Sequence, residues 1–182
     1  MAAPLVKKVH HVAYRCRDAK QTVEWYGKYL DMGFILAIAE DEVPSTKAPD
    51  PYMHVFLDAG GGNVLAFFEL PTQPPMGRDP NTPDWVQHIA FKVKDMSTLL
   101  EYRAHLEANG VSVLGVTDHG AFHSIYFFDP NGHRIELACP DPNEAAMHRK
   151  LDAVKWDMLR EWSVTKRAPR HAAFLHEREF KQ

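Results

Sequence analysis

Residues 117–136 read T-D-H-G-A-F-H-S-I-Y-F-F-D-P-N-G-H-R-I-E and hold the densest set of chemically able side chains in the chain. The set comprises His119, His123, His133, Tyr126 and Glu136, with a tight Asp129-Pro130-Asn131-Gly132 turn between two strand-like runs. A glutamate on a strand beside histidines suits a metal ligand. Glu136 is therefore expected to bind a metal together with two imidazoles from elsewhere in the chain.

An internal repeat supplies those imidazoles. Residues 9–18 (V-H-H-V-A-Y-R-C-R-D) align without a gap on residues 86–95 (V-Q-H-I-A-F-K-V-K-D), which sets His11 on His88. Repeats of this kind mark duplicated structural units. Side chains alternate along a strand, so His11 and Ala13 share one face, and Val12 and Tyr14 the other. His88 and Ala90 repeat the small face; Ile89 and Phe91 repeat the bulky one. The bulky face is expected to lie under a helix, and the small alanine leaves room beside each imidazole. Aligning the turn glycines Gly62 and Gly132 sets Glu136 on Ala66, while Glu69 falls on the opposite strand face. The ligand count is then His11, His88 and Glu136. Two histidines and one carboxylate leave coordination positions open and suit non-haem Fe(II). A fourth protein ligand would instead favour Zn(II), Ni(II) or Co(II); Mn(II) is a further alternative.

These residues need a scaffold. Asp18 and Asp95 are helix N-caps, each following a repeat strand. Val23, Tyr26 and Leu30 recur at helical spacing, as do Leu99, Tyr102 and Leu106, with Gly110 as a stop. Strands are expected at residues 34–38, 54–58 and 64–68, and again at 111–116, 124–128 and 134–138. Residues 40–51 read as a loop, and residues 71–83, with five prolines, as a linker. The expected fold is α+β: two paired βαβββ modules forming a curved mixed sheet around a metal cleft, plus a C-terminal helical tail. The boundaries are 7–70 and 84–140 for the modules within a domain of residues 1–140, and 141–182 for the tail. In the tail, Asp141 is the expected N-cap, followed by a stripe of Met147, Leu151, Val154, Met158 and Trp162. That stripe packs on the body or a second subunit, or serves as a lid.

Composition narrows the partners. The 182 residues are 45% hydrophobic and 25% charged, with a formal net charge of -3. These values are ordinary for a globular chain and give no reason to expect nucleic acid or an anionic membrane as partner. No apolar run reaches the roughly 18 residues of a membrane span. The first residues lack the apolar core of a signal peptide, and Cys16 and Cys139 make no disulfide framework, so a cytoplasmic location is expected.

The paired modules resemble the vicinal oxygen chelate superfamily of glyoxalases, extradiol dioxygenases, epimerases and bleomycin or fosfomycin resistance proteins, over about residues 9–140. Within it, His119, Ile125-Tyr126, Asp129-Pro130, Gly132 and Glu136 fit the ring-cleaving extradiol signature of one-domain forms. The turn-to-glutamate part recurs across the superfamily, so His119 and Tyr126 carry the preference. The resemblance implies an Fe(II)-dependent dioxygenase in aromatic catabolism, acting on a catechol-like substrate with O2, as a homodimer. It also implies that Tyr126 hydrogen-bonds the bound substrate oxygen. Either His119 or His123 could supply the acid–base imidazole. His123 is slightly favoured, because its strand pairs with that of Glu136. Related enzymes often have one more histidine some fifteen residues before the second metal histidine. No histidine lies between His54 and His88; either His54 substitutes for it or the reaction differs. Two competing readings are a glyoxalase- or epimerase-like enzyme working through an enediolate, which Ala66 disfavours, and a non-catalytic small-molecule-binding resistance protein.

Overall fold

The computed structural model describes residues 6–170. The chain runs β1 (Val12–Cys16), α1 (Ala19–Leu30), β2 (Gly33–Glu42), β3 (Pro49–Asp58), β4 (Val64–Glu69), β5 (His88–Lys92), α2 (Met96–Ala108), β6 (Leu114–Asp118), β7 (Phe122–Phe128), β8 (Arg134–Pro140) and α3 (Glu144–Thr165). The strands form two four-stranded sheets of identical connectivity, β1-β4-β3-β2 and β5-β8-β7-β6. The α+β βαβββ repeat expected from the sequence is therefore present twice. Two compact units result: residues 1–88 with 128–134, and residues 89–127 with 135–182.

In the first unit β1 runs parallel to β4, and β2–β3 and β3–β4 are antiparallel. One cross-strand row is Tyr14, Phe67 and Val55; the next is Ala13, Ala66 and Phe56. The first row lies under α1, where Tyr26 packs on Phe67 with ring centroids 5.1 Å apart. Tyr26, Leu57, Leu65 and Phe67 are all at most 1% exposed. Each such side chain contributes about 1.5–3 kcal/mol through burial. Asp18 caps α1, accepting from the Gln21 amide at 2.7 Å. In the second unit Asp95 caps α2 through Thr98, and Leu99, Leu106, Ile125, Phe127, Ile135 and Leu137 form the core.

Several boundaries differ from expectation; β1 begins at Val12, so His11 immediately precedes the strand expected to carry it. Only half of the predicted loop at 40–51 is loop: β2 continues to Glu42 and β3 begins at Pro49. Continued ladder bonding, such as Glu40 with Tyr52, overrides the weak strand preference of the acidic and proline residues. β6 begins at Leu114 rather than Val111. α3 starts at Glu144 with Asn143 as N-cap; the Asp141 carboxylate instead accepts the Asn143 amide in a turn before the helix. Residues 171–182 of the expected tail lie outside the described residues.

The turn between β7 and β8 groups with the first unit and carries a buried polar knot. Asp129 and Asn131 are 5% and 4% exposed. Asp129 Oδ1 accepts the amides of Asn131 and His133 at 2.9 and 2.8 Å. Its Oδ2 accepts Tyr26 OH at 3.1 Å and Asn131 Nδ2 at 3.0 Å. Asn131 Oδ1 in turn accepts the Arg17 amide at 2.9 Å. A carboxylate can leave water only when so supplied. The Asp129 charge and burial both hold the Tyr26 phenol well above its ordinary value, burial being the larger cause.

Two predictions follow from this core. Tyr26→Phe removes one donor from Asp129 and is expected to cost about 1–2 kcal/mol, with Asp129→Ala costing about 3 kcal/mol, in urea unfolding. Burial pushes the Cys16 thiol up from 9.0 to about 11. The neutral thiol is thus favoured by folding, so its contribution is intact below pH 9 and is lost as pH rises from 9 towards 11. Cys16→Ala is expected to flatten the alkaline fall in thermal midpoint over that window. Native Cys16 should also resist iodoacetamide at pH 8 and react once unfolded.

Candidate functional site

The second unit builds the more complete half of the chemistry. Phe122, Ser124 and Tyr126 alternate along β7 with Ile125 and Phe127, which are buried beside α2's core residues. Glu136 on β8 is 4% exposed. Its Oε1 accepts from Ser124 Oγ at 2.5 Å, and Tyr126 OH lies 3.3 Å from the same oxygen. Tyr126 OH is also 2.8 Å from His119 Nε2. The β6–β7 turn presents His119: its amide bonds Phe122 O at 3.0 Å, and its ring stacks on Phe122 at 4.8 Å. Gly120, at φ +78°, makes this turn possible. His119, Tyr126, Glu136 and Ser124 therefore form one continuous hydrogen-bonded array.

His123 stands apart from that array. Period two places it on the face of β7 opposite Tyr126. There it lies 3.7 Å from Asp118 and 3.9 Å from Asp141. Of the two histidines weighed from the sequence, His119 is the one that meets Tyr126. Strand parity was the signal in the sequence that separates them.

The first unit holds His11 and His88. His11 Nδ1 is 2.7 Å from His10 Nδ1, and its ring lies 5.9 Å from that of His54 and 5.6 Å from Phe56. His88 Nδ1 is 3.0 Å from Val86 O. A carbonyl only accepts, so Nδ1–H of His88 is the donor, and Nε2 is the ring nitrogen not engaged by that bond. His54 lies on the strand face of Ala66 and Phe56. It is 8% exposed, stacks on Phe68 at 3.6 Å and 18°, and meets Phe56 at 4.1 Å. Its Nε2 is buried without a hydrogen-bond partner among the described residues. Burial, and secondarily the neighbouring His11, lower its pKa from the ordinary imidazole value.

Glu69 is on the other face, as parity requires. Its Oε2 accepts the Ala19 amide at the first residue of α1, at 2.7 Å. Ala66 is fully buried and offers no ligand. The donors suit a divalent cation: a buried, hydroxyl-held carboxylate and an imidazole. Among the described residues, however, no group of three His, Cys, Asp or Glu side chains is gathered to hold a metal ion. His11 and His88 belong to the first unit and Glu136 to the second.

Comparison with known proteins agrees with this architecture. The chain resembles a glyoxalase/bleomycin resistance protein/dioxygenase domain from Frankia sp. EAN1pec, with a TM-score of 0.59 at 20% identity over 75% of this chain and 99% of that one. It also resembles the fosfomycin resistance protein FosX from Listeria monocytogenes, with a TM-score of 0.56 at 20% identity over 77% and 98% of the two chains. A FosX variant of that organism was crystallised with Mn(II) and 1S,2S-dihydroxypropylphosphonic acid; it has a TM-score of 0.56 at 18% identity over 78% and 99% of the two chains. In sequence, 88 residues are 28% identical to "Putative ring-cleaving dioxygenase MhqA" of Bacillus subtilis (strain 168). That match covers 48% of this chain and 28% of the relative, so the chain spans only part of the relative's length. The family model for the Glyoxalase/Bleomycin resistance protein/Dioxygenase superfamily matches residues 8–137. With its duplicated βαβββ units and a buried strand carboxylate at residue 136, the chain belongs to the Glyoxalase/Bleomycin resistance protein/Dioxygenase superfamily.

Proposed function

We propose that the protein is a metal-dependent ring-cleaving dioxygenase of the extradiol type, acting on a catechol-like aromatic with O2. The observation that carries this reading is the array in which His119 meets Tyr126 beside the buried Glu136 carboxylate. An isomerase working through an enediolate needs a base or ligand where Ala66 stands, and gains no use from a tyrosine paired with histidine. The partial likeness to a ring-cleaving dioxygenase adds support.

His11, His88 and Glu136 are the proposed protein ligands of the metal, with Fe(II) as the favoured ion and Mn(II) as the alternative. A divalent ion held by these residues would supply Lewis acidity towards an ionised catechol and a path for electron density to O2. The side chains have separable roles. Tyr126 offers a hydroxyl to a substrate oxygen, and His119 sets which way its proton points. His54 is held neutral by burial, and its partnerless Nε2 can take the proton that a catechol gives up. The faces of Phe56 and Phe68 beside it suit a planar ring.

Anaerobic loading with Fe(II), followed by a catechol and air, is expected to give oxygen uptake and a yellow open-chain product. No uptake with any of a panel of catechols would overturn the reading. Glu136→Ala is expected to lose bound metal, measured by elemental analysis after desalting. His54→Phe is expected to lower kcat about 100-fold at unchanged metal content, the size of a lost acid–base group. A His54→Phe enzyme of normal kcat would remove His54 from the chemistry.

A further inference from the structure

We infer that Ser124 is the positioning residue of the Glu136 carboxylate, and that Tyr126 is not. The inference rests on the proposed ligand role of Glu136 and extends it to a residue that does not itself bind metal.

Ser124 sits in the interior of β7, opposite Thr117 of β6, and is 0% exposed. A hydroxyl so buried costs stability unless it is hydrogen-bonded. Its partner is Glu136 Oε1 at 2.5 Å, within the short range typical of a hydroxyl donating to an ionised carboxylate. An ionised carboxylate only accepts, so Ser124 is the donor. Tyr126 differs on both counts. Its hydroxyl is 3.3 Å from Oε1 but 2.8 Å from His119 Nε2. Whichever partner of the His119 pair donates, the 3.3 Å contact is beyond the usual O–H···O range and is the weaker hold on Oε1. Ser124 therefore fixes the plane of the carboxylate, and the Tyr126 proton can turn to His119 or to a ligand without releasing it. The division also follows from the sequence of β7. Positions 124 and 126 share a face, so one strand carries a holding hydroxyl and a working hydroxyl two residues apart.

The test is Mn(II) affinity, read by titration calorimetry and by the paramagnetic resonance spectrum of the bound ion, on the full chain. Loss of an outer-shell partner typically weakens metal binding about 10–100-fold. Ser124→Ala is therefore expected to weaken Mn(II) at least about tenfold and to broaden the spectrum, while Tyr126→Phe stays within about threefold of wild type. Ser124→Cys keeps the shape but not the strong donor, and is expected to match Ser124→Ala. It carries the test should the alanine variant fail to fold, as judged by the metal-free thermal midpoint. If both Ser124 variants hold Mn(II) within twofold of wild type while Glu136→Ala does not bind it, the inference is wrong and the ligand reading stands. If Tyr126→Phe weakens binding as much as Ser124→Ala does, the inference is also wrong. If Glu136→Ala binds Mn(II) as wild type does, the ligand reading fails and the inference fails with it.

Discussion

A carboxylate that leaves water must be met by donors, and this constraint shapes the hairpin from β7 to β8. Two carboxylates are buried along it. Asp129, in the turn, takes two backbone amides, an amide side chain and the Tyr26 phenol. Glu136, in the strand, takes a serine hydroxyl with a tyrosine hydroxyl further off. The donors set the difference in role. Backbone amides are fixed by the chain and cannot be exchanged, so Asp129 is committed to folding. Glu136 rests on side-chain hydroxyls, so its hold depends on the residues chosen at 124 and 126 and not on the backbone.

The same reasoning separates the two faces of the first sheet. Tyr14, Phe67 and Val55 lie under α1 and are held by apolar packing. The opposite face carries His54, Phe56 and Phe68, where a ring nitrogen is buried without a partner among the described residues. Such a nitrogen is unfavourable for folding alone. Its presence on the face that also holds Ala66 supports placing the proposed chemistry there.

Much of this was legible from residue order. The alignment of His11 on His88 revealed the duplication, and Asp18 and Asp95 cap the helices as their positions imply. Strand parity alone sets Glu69 against Glu136. Other features were hidden. Glu40 and Pro49 have poor strand preference, and only the β2–β3 ladder shows that they extend it. The preference for His123 over His119 rested on strand pairing and overlooked parity, which turns residue 123 away from residue 126. Ser124 gave no sign at all, because a serine between apolar neighbours in a strand is ordinary until its partner is seen. Distances between ligands of different repeats are beyond periodicity altogether.

The knot at Asp129 changes how much a sequence signature is worth. Its aspartate, asparagine and following amide are all used inside the protein, in seating the turn against α1. Selection for a stable hairpin would preserve them even in a descendant that had lost every trace of catalysis. Diagnostic weight for chemistry therefore rests with the variable positions around the turn, and a pattern search that scores all positions alike mistakes architecture for activity.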